Sequence, residues 1–557
     1  MEKIWLKSYP RGVPDEIDPT RYNSVSELLA DSFRANREKR AFVSMGQALT
    51  YGKLDALSTH LAAWFQSRGL KPGARIAIMM PNVLQYPVAL AAILRAGYVV
   101  VNVNPLYTPR ELEHQLKDSG AEAIIVLENF ARTVQAVAKN TPIKHVVVAS
   151  MGDLLGAKGL IVNFVVRRVK KLVPAWDLPA HVSFNEALRQ GERMAFTPVK
   201  VSPNDIAFLQ YTGGTTGVAK GAVLLHRNVI ANVLQSEVWL DPARHAHPDI
   251  DQVVTAVALP LYHIFALTVG CLLTLRTGGI GVLIANPRDI AGMIKELHGF
   301  KINTFPAVNT LYNAMLNHPD FAKLDFSKLI AANGGGMAVQ EAVAKRWFDA
   351  TGTPIIEGYG LSETSPSVTC NPTTATEYTG TIGLPLPSTE ISIRDDDNNE
   401  LAPGQPGEVC IRGPQVMAGY WNRPDETAKV MTPDGYFKSG DIGVFDERGY
   451  VKIVDRKKDM ILVSGFNVYP NEIEDVVAKL PGVLEVAAVG VKDATSGEAV
   501  KLFVVRRDPN LTEADVSAFC KERLTNYKRP RFIEFRSDLP KSNVGKILRR
   551  ELRDGKV

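Results

Sequence analysis

The chain has little cysteine and no cysteine pattern. Four cysteines occur in 557 residues, and no two of them are spaced as Cys-x-x-Cys. They stand at Cys271, Cys370, Cys410 and Cys520. Zinc sites and disulfide frameworks use closely or regularly spaced cysteines, so both are disfavoured. A reducing cytoplasm fits this usage best.

The chain also lacks an excess of one charge sign, an internal repeat and a low-complexity tract. Lys and Arg total 64 against 59 Asp and Glu, which gives a net charge of +5. This is too small for a nucleic-acid footprint, so no nucleic acid partner is expected. Hydrophobic residues make up 45%, as in ordinary globular proteins. At this length we expect at least two domains.

Neither a secretory signal nor a membrane helix is expected. Residues 1–20 carry four acidic residues and no apolar core. Residues 253–275 hold no Asp, Glu, Lys or Arg and reach the roughly 20 residues of a membrane span. Pro260 and His263 divide this stretch, so we interpret it as a buried strand, a loop and a short helix from Ile264. A membrane-spanning helix stays open as the alternative.

The hydrophobic pattern predicts an α/β protein. From Ala74 to Ser150, short apolar runs alternate with helical patterns, which indicates parallel strands with crossover helices. Gly97 and Gly120 stand where two of these helices should end. Residues 388–454 show short alternating segments separated by turn residues, which indicates an antiparallel β lobe.

A charged cluster, 455–459, follows and reads as an exposed connector between two packed bodies. The remaining strand and helix patterns predict a small α+β domain. We therefore expect a large N-terminal domain at 1–454, a hinge at 455–459 and a small mobile C-terminal domain at 460–557.

Residues 211–221, Tyr-Thr-Gly-Gly-Thr-Thr-Gly-Val-Ala-Lys-Gly, are the most distinctive segment. Glycines let backbone N–H groups approach an anion, threonine hydroxyls add donors and the lysine adds charge, so a polyphosphate site is predicted. Its predicted contributors are Thr212, Gly213, Gly214, Thr215, Thr216, Gly217 and Lys220. Ala219 and Gly221 flank the lysine, which differs from a Walker A loop. The alternative is a flexible surface turn.

This loop resembles the phosphate-binding signature of the adenylate-forming superfamily, and further segments match its motifs in the same order. They are Leu259-Pro-Leu-Tyr-His-Ile-Phe265, Gly358-Tyr-Gly-Leu-Ser-Glu-Thr364, Lys438-Ser-Gly-Asp441, Val454-Asp-Arg-Lys-Lys-Asp459 and Pro540-Lys-Ser-Asn-Val-Gly-Lys546. The stretch from Asp434 through Met460 most closely resembles bacterial long-chain fatty acyl-CoA synthetases. MPNVLQYPVALAAILRAG and NVNPLYTPRELEHQL extend the resemblance towards the N-terminus.

The resemblance implies a nucleotide site. Glu363 would hold Mg²⁺, for which a carboxylate oxygen is a suitable ligand; the alternative is a solvated loop carboxylate. Tyr359 would stack on adenine, and Asp441 would accept hydrogen bonds from the ribose with Arg456 beside it. The remaining nucleotide-binding residues would be Gly334, Gly335, Gly336, Gly358, Gly360 and Ser362, the last standing where the family usually has Thr.

The resemblance also implies the reaction. Lys546 would bridge the acid's carboxylate and the α-phosphate of ATP, although a lysine there would otherwise read as a solvated charge. His263 would close the acyl pocket, or be structural. The small domain would then turn about Asp455, bringing the loop Ser464-Gly465-Phe466 towards the thiol of coenzyme A.

The predicted function is therefore ATP-dependent ligation of a long-chain fatty acid to coenzyme A, with Mg²⁺ as cofactor, feeding fatty acid degradation and lipid synthesis. Three alternatives remain: a medium-chain or aryl acid ligase, an acyl-AMP ligase that loads a carrier protein, and a catalytically silent membrane-associated lipid-binding protein. A homodimer stays open.

Two further features concern substrate and membrane. Residues 160–173 combine apolar residues with four cations and no acid, as in segments that lie on an anionic membrane surface. An ordinary surface helix explains them equally well. Phe265, Phe305, Val308 and Tyr312 are candidates for an acyl tunnel, or core residues.

Overall fold

The structure is a computed structural model that describes residues 3–212, 219–464, 466–493, 496–542 and 545–555. Within these residues, helices α1 to α16 span Val25–Ala35, Tyr51–Gln66, Gln85–Arg95, Pro109–Ser119, Ala131–Val137, Lys158–Phe164, Phe184–Glu192, His226–Ala246, Leu273–Arg276, Ile290–Leu297, Asn309–Leu316, Glu341–Thr351, Pro424–Val430, Pro470–Val477, Glu513–Arg523 and Arg549–Arg553.

Strands β1 to β25 of the same part of the chain span Arg40–Ser44, Gln47–Thr50, Arg75–Met79, Val99–Asn102, Ala123–Leu127, His145–Ala149, Val182–Ser183, Ile206–Thr212, Lys220–Leu225, Val254–Val257, Ile280–Leu283, Ala332–Gly334, Ile355–Gly360, Ser367–Cys370, Leu384–Pro385, Glu390–Arg394, Gly407–Arg412, Gly419–Tyr420, Phe437–Phe445, Val451–Arg456, Ile461–Val463, Phe466–Val468, Val483–Asp493, Gly497–Arg506 and Phe532–Arg536.

The largest sheet has the strand order β18-β9-β8-β4-β3-β5-β6-β7. Strands β3 to β6 pair in parallel and are joined by helices, which confirms the alternation predicted for residues 74–150. In helix α3, which lies between β3 and β4, ten of the eleven residues are buried, as is usual for helices that cover a parallel sheet. Helix α4 ends at Gly120 in the left-handed conformation, as predicted.

Strand β9 pairs antiparallel with β8, so the segment after the glycine-threonine loop is a strand. The loop therefore connects two neighbouring strands. Helix α8 follows directly from β9 and leads towards the second sheet.

The uncharged stretch 253–275 begins in the second sheet, β10-β11-β1-β2. Strand β10 covers its first part, and a helical segment starts at Ile264, passes through a π-helical turn and continues as α9. This confirms the strand-loop-helix interpretation. No helix in the described residues is long and apolar enough to cross a membrane.

The antiparallel lobe is the sheet β16-β17-β19-β20, as the alternating pattern of residues 388–454 predicts. The C-terminal sheet, β22-β21-β24-β23 with β25 on β24, packs against α14 and α15 around a core of its own. The fold is thus α/β, with mixed parallel and antiparallel sheets.

The expectation of an exposed connector is wrong at Asp455, although Lys457 and Lys458 are exposed. Asp455 is the penultimate residue of β20 and is completely buried, whereas the sequence predicted an exposed connector. Its carboxylate is bonded to the C-terminal residues described below, and this offsets the cost of burying the charge.

Candidate functional site

A cavity of about 1470 Å³ lies between the large N-terminal part of the chain and the C-terminal sheet. Nearly all of the described residues that were predicted to form the site line this cavity. These are Thr212, Lys220, His263, Gly334, Gly335, Gly336, Gly358, Tyr359, Gly360, Ser362, Glu363, Asp441, Asp455, Arg456 and Lys546. Gly213, Gly214, Thr215, Thr216 and Gly217 lie outside the described residues.

At one end of the cavity, a chain of contacts joins the lysine of the glycine-threonine loop to Glu363. The Lys220 ammonium pairs with the Glu426 carboxylate and lies 5.0 Å from the centre of the Tyr420 ring. The Tyr420 hydroxyl donates a hydrogen bond of 2.7 Å to Glu363 Oε1. Burial raises the pKa of Glu363. The Tyr420 side chain thus contacts the cation through its ring and the carboxylate through its hydroxyl.

Beside this chain, β13 and β19 bring a second set of polar groups together. The Tyr359 hydroxyl donates to Asp441 Oδ2 at 2.6 Å, and Arg456 Nε lies 3.3 Å from Asp441 Oδ1. Asp441 and Arg456 are directly opposite each other on β19 and β20. Asp441 is only 4% exposed, and each of its two oxygens has one of these groups as its partner.

The turn around Tyr359 needs glycine. A Cβ atom on Gly360 would lie 2.0 Å from the Pro366 carbonyl oxygen, a distance that no side chain tolerates. Strand β13 therefore passes directly against the backbone of the following segment. Gly358, Tyr359 and Gly360 all line the cavity.

Lys546 enters the same cavity from the C-terminal part of the chain. Its loop is closed by hydrogen bonds from Ser542 N to Lys546 O and from Lys546 N to Ser542 Oγ, at 2.7 and 3.1 Å. Burial, and next the Arg456 charge, lowers the pKa of Lys546 to about 7. Burial, with Lys546 nearby, also lowers the pKa of His263 to about 4. The imidazole is therefore neutral at physiological pH.

Contacts across the cavity hold this loop against the large part of the chain. Thr310 Oγ1 donates to the Gly545 carbonyl oxygen at 3.0 Å, immediately before Lys546. A Cβ atom on Gly545 would lie 2.7 Å from the same hydroxyl oxygen, so the approach requires glycine. Lys479 and Glu341 add an ion pair of 2.5 Å between the two parts.

Asp455 is tied to the C-terminal residues by Arg549. The Arg549 guanidinium lies 3.5 Å from Asp455 Oδ1 and donates to Glu474 Oε2 at 2.6 Å. The backbone N–H of Asn471 donates to Asp455 Oδ2 at 2.9 Å. Burial raises the pKa of Asp455 to about 6, although the Arg549 charge opposes this shift.

The predicted coenzyme A loop lies elsewhere in this arrangement. Neither Ser464 nor Phe466 lines the cavity. The Phe466 ring is 55% exposed and stacks on Tyr527 with ring centres 4.7 Å apart. Gly465 lies outside the described residues.

Of the four acyl-tunnel candidates, two line the cavity and two do not. Phe265 and Val308 are among the lining residues. Phe305 and Tyr312 are completely buried instead, in an aromatic cluster around Trp347 with ring centres 5.5 and 4.7 Å away. For these two, the core interpretation is correct.

Sequence reasoning missed four residues that organise the site: Thr310, Tyr420, Glu426 and Arg549. Glu426 stands in the first turn of α13, where an acidic residue is ordinary because it stabilises the helix N-terminus. Arg549 stands in a basic C-terminal segment in which no single cation is conspicuous. The partners of these four residues lie up to 235 positions away in the sequence, so local patterns carried no signal for them.

In the part of the chain that the structure describes, no three His, Cys, Asp or Glu side chains form a metal-binding group. A single buried carboxylate, Glu363, lies on the same side of the cavity as Lys220. Mg²⁺ is usually bound by one or two carboxylates together with substrate phosphates, so this donor set fits a magnesium ion that arrives with a nucleotide.

Comparison with known families places this architecture in a defined class. Residues 29–421 match the AMP-binding enzyme family, and residues 472–546 match the AMP-binding enzyme C-terminal domain. The chain belongs to the AMP-binding enzyme family.

Individual relatives narrow the comparison. The chain is 57% identical to a long-chain-fatty-acid–CoA ligase of Escherichia coli O157:H7, across 100% of this chain and 99% of that protein. Among solved structures, ATP-bound MatB from Rhodopseudomonas palustris is 28% identical with a TM-score of 0.79, covering 96% of this chain and 99% of that one.

A second solved structure shares the fold. The anthranilate CoA ligase AuaEII in complex with anthranoyl-AMP has a TM-score of 0.83 at 23% identity, covering 97% of this chain and 99% of that one.

Proposed function

We propose that this chain is an ATP-dependent long-chain fatty acid–CoA ligase that forms an acyl-adenylate, releases pyrophosphate, and transfers the acyl group to coenzyme A with release of AMP. The observation that carries the proposal is one cavity lined by Lys220, Glu363 and Asp441 from the large part and by Lys546 from the C-terminal part. The 57% identity to a long-chain-fatty-acid–CoA ligase over the full chain supports a long-chain fatty acid as the substrate.

The first step needs charge stabilisation more than a base. A fatty acid, with a pKa near about 4.3, is already ionised at neutral pH, and two anionic groups must approach each other. Lys546 lines the same cavity as His263 and Asp441, and its charged form attracts both the acid's carboxylate and the α-phosphate. Its lowered pKa rises once these anions bind, because opposite charges favour the ammonium form.

The nucleotide is held by the remaining polar groups. When ATP binds, Lys220 leaves Glu426 and pairs with the terminal phosphates, which the glycine-threonine loop also binds. Asp441 accepts hydrogen bonds from the ribose, and the Tyr359 ring stacks on adenine between Gly358 and Gly360. Gly334, Gly335, Gly336 and Ser362 complete the pocket wall. Magnesium held by Glu363 would neutralise phosphate charge when it is present.

The second step needs a different arrangement, because a thiol must reach the acyl carbonyl where Lys546 stands. Asp455 is the proposed hinge, within a connector at 455–459 between domains at 1–454 and 460–557. Rotation about it brings Ser464, Gly465 and Phe466 towards the cavity and withdraws Lys546. The exposed Phe466 ring is available for such a new contact.

Pyrophosphate exchange tests the proposal most directly. Purified protein is given labelled pyrophosphate, ATP and fatty acids of graded length, and labelled ATP is measured. Exchange that depends on a long-chain acid is expected, and no exchange with any aliphatic acid overturns the proposal. Analysis of the products formed with coenzyme A and with carrier protein separates a CoA ligase from a carrier-loading ligase. Aryl acids offered as substrates test the alternative of an aryl acid ligase.

We also propose that the protein works in the cytoplasm and contacts the membrane surface through α6 and the turn after it. Leu160, Ile161 and Phe164 are 78, 66 and 60% exposed, while Gly159 and Val166 of the same segment face the interior. Large apolar side chains beside exposed cations favour an anionic lipid surface, where fatty acids for degradation and lipid synthesis are collected.

Liposome flotation tests this surface. Replacement of the exposed Arg168, Lys170 and Lys171 by Gln should reduce binding to vesicles that contain phosphatidylglycerol. Replacement of three exposed lysines remote from α6 is the control for net charge. Unchanged flotation of the first variant contradicts the membrane proposal.

A further inference from the structure

The cavity is longer than a nucleotide needs. Beyond the nucleotide end, it continues along β10, with Pro260 and Leu259 lining it after the strand and Val253 lining it just before the strand. Seven residue steps at about 3.3 Å each correspond to roughly 20 Å. The distal part therefore runs deep into the large domain between α8 and β10.

The walls of this distal part are apolar. Trp239, Leu240 and Leu273 line it and are at most 9% exposed. Threonines line it as well, but their hydroxyls are occupied. Thr304 Oγ1 donates to Thr255 Oγ1 at 2.8 Å, and Thr277 Oγ1 donates to the Leu273 carbonyl oxygen at 2.9 Å. With the hydroxyls bonded, the threonine methyl groups remain to face a ligand, as a hydrocarbon chain requires.

The distal end of the cavity lies where an ion pair joins α8 to α9. Ser236 of α8 and Thr277, the residue after α9, both line the cavity there. Their sequence neighbours Glu237 and Arg276 form an ion pair of 2.9 Å, 17 and 11% exposed. This pair ties the two helices together beside the end of the cavity, so its position is fixed by packing.

We infer that the methyl end of the acyl chain lies between Ser236, Val253 and Thr277, and that these side chains set the longest acid that the enzyme activates. This inference rests on the proposed function. Because a carbon–carbon bond of about 1.5 Å advances an extended chain by roughly 1.3 Å, about 20 Å accommodates roughly 15 carbons. Palmitate fits such a length, and octanoate would leave the distal part unused.

A filling substitution tests the inference. Ser236→Phe places a ring at the distal end, and kcat/KM for acyl-adenylate formation is measured with octanoate, dodecanoate and palmitate. We expect kcat/KM for palmitate to fall by about tenfold or more, because overpacking excludes the terminal carbons, while octanoate changes by less than about twofold. Val253→Phe is the second variant, from the opposite wall.

Val238→Phe is the matched control, since Val238 lies on α8 two residues from Ser236 but does not line the cavity. It should leave the chain-length profile unchanged. Thermal unfolding verifies that each variant is folded. Equal loss for octanoate and palmitate, or unchanged palmitate activity in both folded cavity variants, overturns the inference. Wild-type protein that activates no aliphatic acid would overturn the proposed function instead.

Discussion

The two ends of the cavity are built in opposite ways. At the nucleotide end, charged and hydroxyl groups are paired within 2.6 to 3.3 Å, as in Tyr359, Asp441 and Arg456. At the acyl end, the walls are apolar side chains and threonines whose hydroxyls bond one another. Directional bonds demand particular residues, whereas a hydrocarbon wall demands only shape. Motifs therefore mark the first end, whereas no motif marks Ser236, Val253 and Thr277 at the far end of the second.

Lys546 lies at the junction of the two ends, and its removal should have the largest effect. Lys546→Ala should slow acyl-adenylate formation by about 100- to 1000-fold, as the loss of a preorganised cation does. Thioester formation from supplied acyl-adenylate should be spared. Single-turnover assays of both half-reactions measure the split, with exposed Lys521→Ala as control. Equal loss in both would contradict the assigned role.

Asp441 tests the nucleotide end alone. Asp441→Asn removes a charged acceptor that is worth about 1.5–3 kcal/mol, so the KM for ATP should rise by roughly 10- to 100-fold. The KM for fatty acid should stay unchanged. Tyr359→Phe keeps the ring and loses only the hydroxyl, so a smaller rise is expected. Steady-state kinetics measure both, and a change confined to the fatty acid KM would break the distinction between the ends.

The pH dependence of adenylate formation tests the role of Lys546 at this junction. The pKa of Lys546 is lowered to about 7, so the free enzyme carries the charged amine below that pH and loses it as pH rises. The kcat/KM for adenylate formation should therefore fall above about pH 7, approaching tenfold per unit. Lys546→Arg should remove this alkaline limb in the same rate profile. If kcat/KM still falls above pH 7 in the arginine variant, the titrating group is not Lys546.

Thr310 should give the smallest effect. Thr310→Val removes the hydrogen bond to Gly545 but keeps the side-chain shape, which costs about 0.5–1.5 kcal/mol. Adenylate formation should slow by roughly two- to tenfold, because the Lys546 loop is held less firmly. Thioester formation should not slow, and Thr310→Ser should restore the rate. Equal slowing of both half-reactions would make Thr310 merely structural.

Much of the fold was predictable from local patterns. The alternation in residues 74–150, the antiparallel lobe and the strand-loop-helix at 253–275 follow from hydrophobic periodicity and from proline and glycine positions. The burial of Asp455 was not predictable, because charged residues are normally solvated and its partners Asn471 and Arg549 lie 16 and 94 residues further along the chain. Phe305 and Tyr312 were ambiguous, since apolar side chains look alike in a core and in a tunnel.

The amino-acid sequence alone is enough to give the order of the motifs, the residue types that can bind a nucleotide and the class of strands and helices that carry them. These are local properties, set by side-chain chemistry and by the few residues on either side. Three-dimensional packing is needed to show that Lys546 shares a cavity with His263 and Asp441, that Thr310 holds its loop, and how far the cavity extends. Those depend on contacts between segments hundreds of residues apart, whose distances the packing of whole sheets and helices fixes.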